Sequence, residues 1–324
     1  MKVGIIGAGA IAAKMAATLA GMKGEAEAYA IASRSLDSAR AFAAEWNFRR
    51  AYGSYEELVA DPEVDLVYIA TPHSHHHAHA MMCLRAGKPV LCEKAFTANA
   101  RQAEEVLRYA REHRIFITEA IWTRYMPLSH TVSELLASGV IGRPVMLTAN
   151  LGYPLEGKER IMNPSLAGGA LLDLGVYALN FALMAFGTDV ESVTSTCTKT
   201  LTGVDAQESI TLTYTDGRMA VLSSTMMART DRLGIISGDK GHLIVENINN
   251  PQRVTVMDNA YQVKSVYDCP RQITGYEYEI YACAEALRRG WLEAPAMPHE
   301  ETLRVMRMMD DLRAAWGIRY PFEE

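Results

Sequence analysis

Near the amino terminus the residues Gly7-Ala8-Gly9-Ala10-Ile11-Ala12 follow the spacing G-x-G-x-x-G/A, directly after a short apolar run and directly before helical apolar periodicity. In that context the first glycine permits a tight turn and the second lets the backbone approach a pyrophosphate. The small third residue, Ala12, lets the helix pack close to the strand. Gly7, Gly9, Ala10 and Ile11 are thus predicted to hold the phosphates of a dinucleotide through backbone N–H groups and the positive end of the helix. A glycine turn that merely reverses the chain is the alternative. Where a second strand should end, the sequence reads Ala32-Ser33-Arg34-Ser35 and lacks the carboxylate that takes the ribose hydroxyls of NAD. The hydroxyl of Ser33 and the guanidinium of Arg34 suit a 2′-phosphate, so NADP is favoured and NAD remains possible. Arg34 as an ordinary solvated turn residue is the competing reading.

Other residue types suggest chemistry less specifically. The tract His73-Ser74-His75-His76-His77-Ala78-His79 places His75 and His79 at helical i, i+4 spacing, as in some zinc sites, yet no cysteine or acidic partner stands nearby. No metal is expected. Taken singly, Lys94 reads as a solvated lysine and Tyr177 as a core aromatic. Five scattered cysteines, an odd number without a CxxC pair, fit free thiols in a reducing compartment.

The elements that must position these groups alternate. Apolar runs at residues 3–6, 28–32, 65–70, 89–92 and 115–119 read as strands buried on both faces, hence parallel. Helices are predicted between and after them at 11–19, 36–46, 55–60, 76–86 and 100–113. This is a doubly wound sheet. Beyond residue 122 the style changes to successive strands at 143–151, 190–198, 208–215, 217–226, 231–237, 241–246 and 253–257, with short turns such as Thr215-Asp216-Gly217. Helices at 128–138, 169–186, 276–289 and 299–316 are predicted to cover one face of that second, mostly antiparallel sheet. The fold class is α/β: a dinucleotide-binding Rossmann domain over residues 1–122 and an α+β substrate-binding and dimerisation domain over 123–324. The last helix is expected to pack back towards the first domain.

Four motifs in order carry a resemblance that spans the chain: the glycine turn, Thr71-Pro72-His73-Ser74-His75-His76, the run Ala86-Gly87-Lys88-Pro89-Val90-Leu91-Cys92-Glu93-Lys94, and Gly168-Gly169-Ala170-Leu171-Leu172-Asp173-Leu174-Gly175-Val176-Tyr177. With these the sequence resembles the Gfo/Idh/MocA oxidoreductases. The stretch Glu119-Ala120-Ile121-Trp122-Thr123-Arg124-Tyr125-Met126-Pro127 is most similar to the dimeric dihydrodiol dehydrogenase and D-xylose dehydrogenase branch.

The resemblance implies that Lys94 lies beside the nicotinamide and the reacting carbon, that Tyr177 is the proton donor with its pKa lowered by the lysine cation, and that Asp173 helps hold substrate. An ammonium there makes chemical sense, because hydride transfer to a carbonyl develops oxyanion charge. Thr71, Pro72, His73, His76 and Glu93 are expected to line the cofactor, and the family uses no catalytic metal. Trp122, Arg124, Tyr125 and Arg160 are candidate substrate contacts, each equally readable as ordinary surface. The family usually has proline after its lysine; Ala95 stands there, and a cis peptide is accordingly not expected.

The implied reaction is hydride transfer between nicotinamide and a CH–OH or C=O carbon of a sugar, polyol or trans-dihydrodiol. A non-catalytic NADP-binding sensor and a biliverdin-reductase-like enzyme remain alternatives. A net charge of −6 with no basic patch argues against a nucleic-acid or anionic-membrane partner. No uninterrupted apolar run reaches the roughly 18 residues of a membrane helix, and residues 1–9 leave no room for a secretion signal. A cytoplasmic homodimer joined through the second sheet is the expectation.

Overall fold

A computed structural model describes residues 1–22 and 24–323. The first sheet contains six parallel strands, β1 (Lys2–Ile6), β2 (Glu27–Ala32), β3 (Arg50–Tyr52), β4 (Leu66–Ile69), β5 (Val90–Glu93) and β6 (Ile117–Ala120), in the order β3-β2-β1-β4-β5-β6. Helices α1 (Ala10–Gly21), α2 (Leu36–Trp46), α3 (Tyr55–Ala60), α4 (His73–Arg85) and α5 (Ala100–Glu112) connect them. The residues of β4, β5 and β6 are buried throughout, which is why these strands read as unbroken apolar runs rather than alternations. On α5, Ala103, Val106, Leu107 and Ala110 form the buried stripe, and Asn99 caps the helix by accepting from Gln102 N–H at 3.0 Å. α4 begins at His73, three residues before the predicted start; His73 and His76 are buried and extend the packed face of Ala80, Met81 and Leu84. Strand β3 was not anticipated: its three residues form the sheet edge and are only partly buried, too short to show a period.

The second sheet has eight strands: β7 (Pro144–Gly152), β8 (Val190–Lys199), β9 (Asp205–Tyr214), β10 (Met219–Thr225), β11 (Gly234–Gly238), β12 (Gly241–Glu246), β13 (Arg253–Asp258) and β14 (Val263–Asp268). Their order is β14-β13-β12-β11-β7-β10-β9-β8, antiparallel except where β7 runs parallel to β10. The unanticipated strand is again an edge, β14, whose mostly exposed residues show no alternation. Helix α6 (Pro127–Ser138), the short α7 (Glu159–Met162), a π-turn at Leu171–Gly175 and α8 (Val176–Phe186) accompany this sheet. By length and composition Pro164–Phe186 would suffice to cross a membrane, but 89% of its apolar window is buried inside the protein, as befits a core helix.

The chain divides into two compact units, Met1–Trp122 with Gln272–Arg307, and Thr123–Arg271 with the residues from Met308 on. This corrects one expectation. Helix α9 (Glu277–Arg289) does not cover the second sheet; Ile280, Cys283 and Ala286 complete the core that also contains Val3, Ile5, Leu66 and Tyr68. The division falls within α10 (His299–Ala315), and His299 binds the carbonyl of Ile117 on β6 through Nε2 at 2.9 Å. Helical periodicity specifies which face of a helix is buried, not which sheet it is buried against.

Candidate functional site

Because β2, β1, β4 and β5 are adjacent and parallel, the segments following them emerge along one edge of the first sheet. Gly7 leaves β1 at φ +97°, and a Cβ there would sit 2.9 Å from the carbonyl oxygen of Ala70. Only glycine permits that approach. Gly9 caps α1 without any side-chain bond, the first turn holds no acidic residue, and Gly9 and Ala10 are exposed while Ala12 is fully buried. An open, uncapped helix start fits the pyrophosphate of a dinucleotide. Ser33, anchored by its N–H on Tyr52 O at 3.2 Å, and the exposed Arg34 follow β2.

After β5, the Lys94–Ala95 peptide is cis, contrary to the expectation drawn from the missing proline. That expectation used the local rule for X–Pro bonds; here distant groups hold the peptide that follows the bond. The Ala95 carbonyl lies 2.8 Å from Nδ1 of His76, and Phe96 N–H donates to Glu119 Oε1 at 3.1 Å. His76 is fully buried, with Nε2 2.7 Å from the carbonyl of Thr71. Burial pushes its pKa down to about 4 against the pull of the two carbonyls, so the neutral ring donates to one of them at a time. His76 therefore ties the segment after β4 to the segment after β5. His73, also buried, meets it edge-on at 5.7 Å.

Beneath Lys94, whose N–H donates to Glu93 Oε2 at 3.1 Å, lies a cluster that sequence reasoning missed. Tyr68 donates to Glu93, and the fully buried Glu279 lies close enough to Glu93 for that carboxylate to disfavour its ionisation. Burial first, and Glu93 second, hold the Glu279 carboxyl well above the usual range. No sequence signal links residues so far apart.

In the second unit, Asp173 lies on the π-turn and Tyr177 one turn later on α8, both buried. Arg160 reaches Asp173 with two donors, at 2.9 and 3.4 Å, so this candidate substrate contact meets a candidate site residue. The turn before them is held by groups that sequence reasoning also missed. Asp205, at the start of β9, accepts Leu171 N–H at 2.5 Å, and Tyr320 donates to Gly168 O at 2.8 Å. Gly169, at φ +118°, has no room for a Cβ, which would lie 2.2 Å from Asp205 Oδ1. The Gly168-Gly169 pair was the only clue that something packs there. The fully buried Glu208, its carboxyl held well above the usual range by burial and then by Asp205, lies against Gly175.

Of the remaining candidates, Trp122 stacks on Tyr276 with centroids 4.2 Å apart, and Arg124 is buried with Nε 2.6 Å from Asn180 Oδ1. Tyr125 is also buried. Among the described residues no group of three or more His, Cys, Asp or Glu is placed to hold a metal.

Comparisons with known proteins agree with this fold. Residues 1–120 match the model "Oxidoreductase family, NAD-binding Rossmann fold", and residues 129–244 match the Gfo/Idh/MocA C-terminal domain. A trans-1,2-dihydrobenzene-1,2-diol dehydrogenase from Xenopus tropicalis is 36% identical over 302 residues, 90% of each chain. A D-xylose 1-dehydrogenase (NADP(+)) from Hypocrea jecorina is 36% identical over 84% of this chain and 78% of its own. Among solved structures, a 3-ketoreductase from Actinomadura kijaniata, in complex with NADP and TDP-benzene, superposes with a TM-score of 0.87 at 28% identity over 97% of both chains. An aldose-aldose oxidoreductase from Caulobacter crescentus, at 19% identity and TM-score 0.86, shares the fold. With both halves matched and the glycine turn in place, this chain belongs to the Gfo/Idh/MocA family of nicotinamide-dinucleotide oxidoreductases.

Proposed function

We propose that the protein is an NADP-preferring dehydrogenase or reductase acting on a CH–OH or C=O carbon of a sugar, polyol or trans-dihydrodiol. The observation that carries this reading is the edge of the first sheet, where an uncapped glycine turn, a Ser33-Arg34 pair without a carboxylate, and Lys94 follow adjacent parallel strands. The relatives named above support the substrate class. Gly7, Gly9, Ala10 and Ile11 would hold the pyrophosphate, and Ser33 and Arg34 the 2′-phosphate. Thr71, Pro72, His73, His76 and Glu93 would shape the remainder. The bound dinucleotide supplies or accepts the hydride. Lys94 stabilises negative charge on the substrate oxygen, and Tyr177 passes the proton to or from that oxygen. Asp173, fixed by Arg160, orients the substrate hydroxyls. Trp122, Arg124 and Tyr125, which are largely buried, would touch substrate only through the small surface they leave open.

Fluorescence titration with NADPH and NADH tests the cofactor, and turnover over aldoses, polyols and arene dihydrodiols tests the substrate. Tighter NADH binding would defeat the assignment of Arg34. A blank screen alongside tight NADPH binding would favour a sensor over an enzyme.

We also propose a cytoplasmic homodimer paired through the uncovered face of the second sheet. The strand registers align Thr194, Thr211, Val221, Thr148, Ile235, Ile244, Thr255 and Val266 as one β-branched row across all eight strands. The next row includes Met146 and Met219, 40% and 37% exposed. So broad a β-branched face without a covering layer suits a second copy. A double substitution Val221→Asp and Ile235→Asp should yield monomers by light scattering; an unchanged mass would exclude this face.

A further inference from the structure

The histidine-rich start of α4 has a part that the reading above leaves unused. His75 and His79 lie one turn apart with ring centroids 5.7 Å apart, and His79 meets the ring of Tyr55, at the start of α3, edge-on at 4.7 Å. Nδ1 of His79 is 3.0 Å from Thr71 Oγ1, which fixes the ring on the segment leaving β4. His75 is exposed, with Nδ1 3.0 Å from Ser74 Oγ. The charge that reaches both His75 and Tyr55 is the guanidinium of Arg34, at the end of β2. Among the described residues no carboxylate pairs with Arg34. The end of β2, the start of α3 and the first turns of α4 thus bring an uncompensated cation, a phenol and two imidazoles together beside the open glycine turn.

Chemistry gives this group a use. A phosphate monoester carries about −1.5 to −2 charges near neutral pH. With Arg34 alone in place, a proton on His75 meets a like charge; with a phosphate on Arg34 the local field reverses and the imidazolium becomes a second cationic donor.

We propose that His75 joins Arg34 as a pH-dependent ligand of the dinucleotide's 2′-phosphate, so that discrimination against the unphosphorylated cofactor grows as pH falls from about 8 to about 6. The inference rests on the assignment of Arg34 to that phosphate. His79 and Tyr55 pack beside His75 and hold its side of the pocket. The signs are consistent. In the free protein burial, then Arg34, keep the pKa of His75 below its ordinary value, and His79, pushed down to about 4 chiefly by burial, stays neutral throughout. The other charged group facing Tyr55 is Glu56, which lies on α3 and acts on the phenol rather than on His75. Binding of the phosphate raises the pKa of His75, so a proton is taken up between the free and bound values.

The test is calorimetric titration of the full chain with NADPH, NADH and 2′,5′-ADP at pH 6, 7 and 8, in two buffers of different ionisation enthalpy, for the unaltered chain and His75→Gln. NADPH and 2′,5′-ADP should bind roughly threefold to tenfold tighter at pH 6 than at pH 8, with proton uptake, while NADH shows no such trend. His75→Gln should remove the gain and leave a slope no steeper than the phosphate's own titration. The imidazole signal of His75 should titrate at higher pH with 2′,5′-ADP bound. A His75→Gln protein that keeps the full pH dependence overturns the proposal while leaving Arg34 intact. NADH binding as tight as NADPH at every pH overturns the assignment of Arg34 itself.

Discussion

The two units hold their candidate site residues by different means. In the first, Gly7, Ser33, Thr71 and Lys94 follow strands whose parallel order alone brings them to one edge, beside a helix start without a side-chain cap. In the second, the turn that carries Asp173 and leads into Tyr177 is fixed by single buried side chains, Asp205 on Leu171 N–H and Tyr320 on Gly168 O, contacts spanning 34 and 152 residues of sequence. The first arrangement is spread over many backbone hydrogen bonds and tolerates side-chain change. The second concentrates on few atoms, where one substitution strands a buried polar group.

That contrast can be broken at several points. Lys94→Ala should lower kcat about 10²–10⁴-fold while NADPH affinity stays nearly unchanged, as measured by steady-state kinetics alongside fluorescence titration. A loss confined to cofactor binding would move Lys94 out of the chemistry. Tyr177→Phe should cost about 10²-fold or more in kcat at constant KM for the cofactor. A nearly full rate would assign the proton to Lys94, His76 or water.

Asp205→Ala removes the acceptor of Leu171 N–H and should destabilise the protein by about 1–3 kcal/mol, read by thermal or chemical unfolding. Asp205→Asn, which keeps an acceptor oxygen, should recover most of that and most of the turnover. Equal effects of the two would mean that charge rather than hydrogen bonding anchors the turn.

A pH-dependent effect on stability is expected at Glu208. Burial raises its folded-state pKa above the unfolded value, so the folded protein binds the extra proton and this group's contribution to stability falls as pH rises from about 4.5 towards the folded value. Within that window the slope approaches 1.4 kcal/mol per pH unit. Glu208→Gln should therefore raise the melting temperature more at pH 8 than at pH 5; a uniform change at both would show that Glu208 does not titrate on unfolding.

Much of the first unit was legible because its signals are local. The turn at residues 7–12 announces itself by glycine spacing, Ser33 and Arg34 by the missing carboxylate, and β4 and β5 by runs of β-branched and apolar residues. The edge strands β3 and β14 escaped, since an edge is only half buried and leaves little periodicity to read. Lys94 and Tyr177 were singled out as candidates through motif resemblance rather than physics, as neither residue type is diagnostic alone. Nothing in the sequence marked Asp205, Tyr320, Tyr68 or Glu279, because a buried acid or phenol reads like any surface one until its surroundings are known. Arg160 was assigned to substrate, and its bond to Asp173 was not legible in the sequence.

The sequence by itself determined the two sheet styles, the nucleotide turn and the residues leaving each parallel strand, because hydrophobic period and glycine spacing act over a few residues. Tertiary structure alone decided that α9 closes the first core, that the Lys94–Ala95 peptide is cis, and that buried carboxyls stand behind both candidate catalytic segments. Those outcomes depend on desolvation and on contacts between residues far apart in the chain, neither of which leaves a trace in local sequence order.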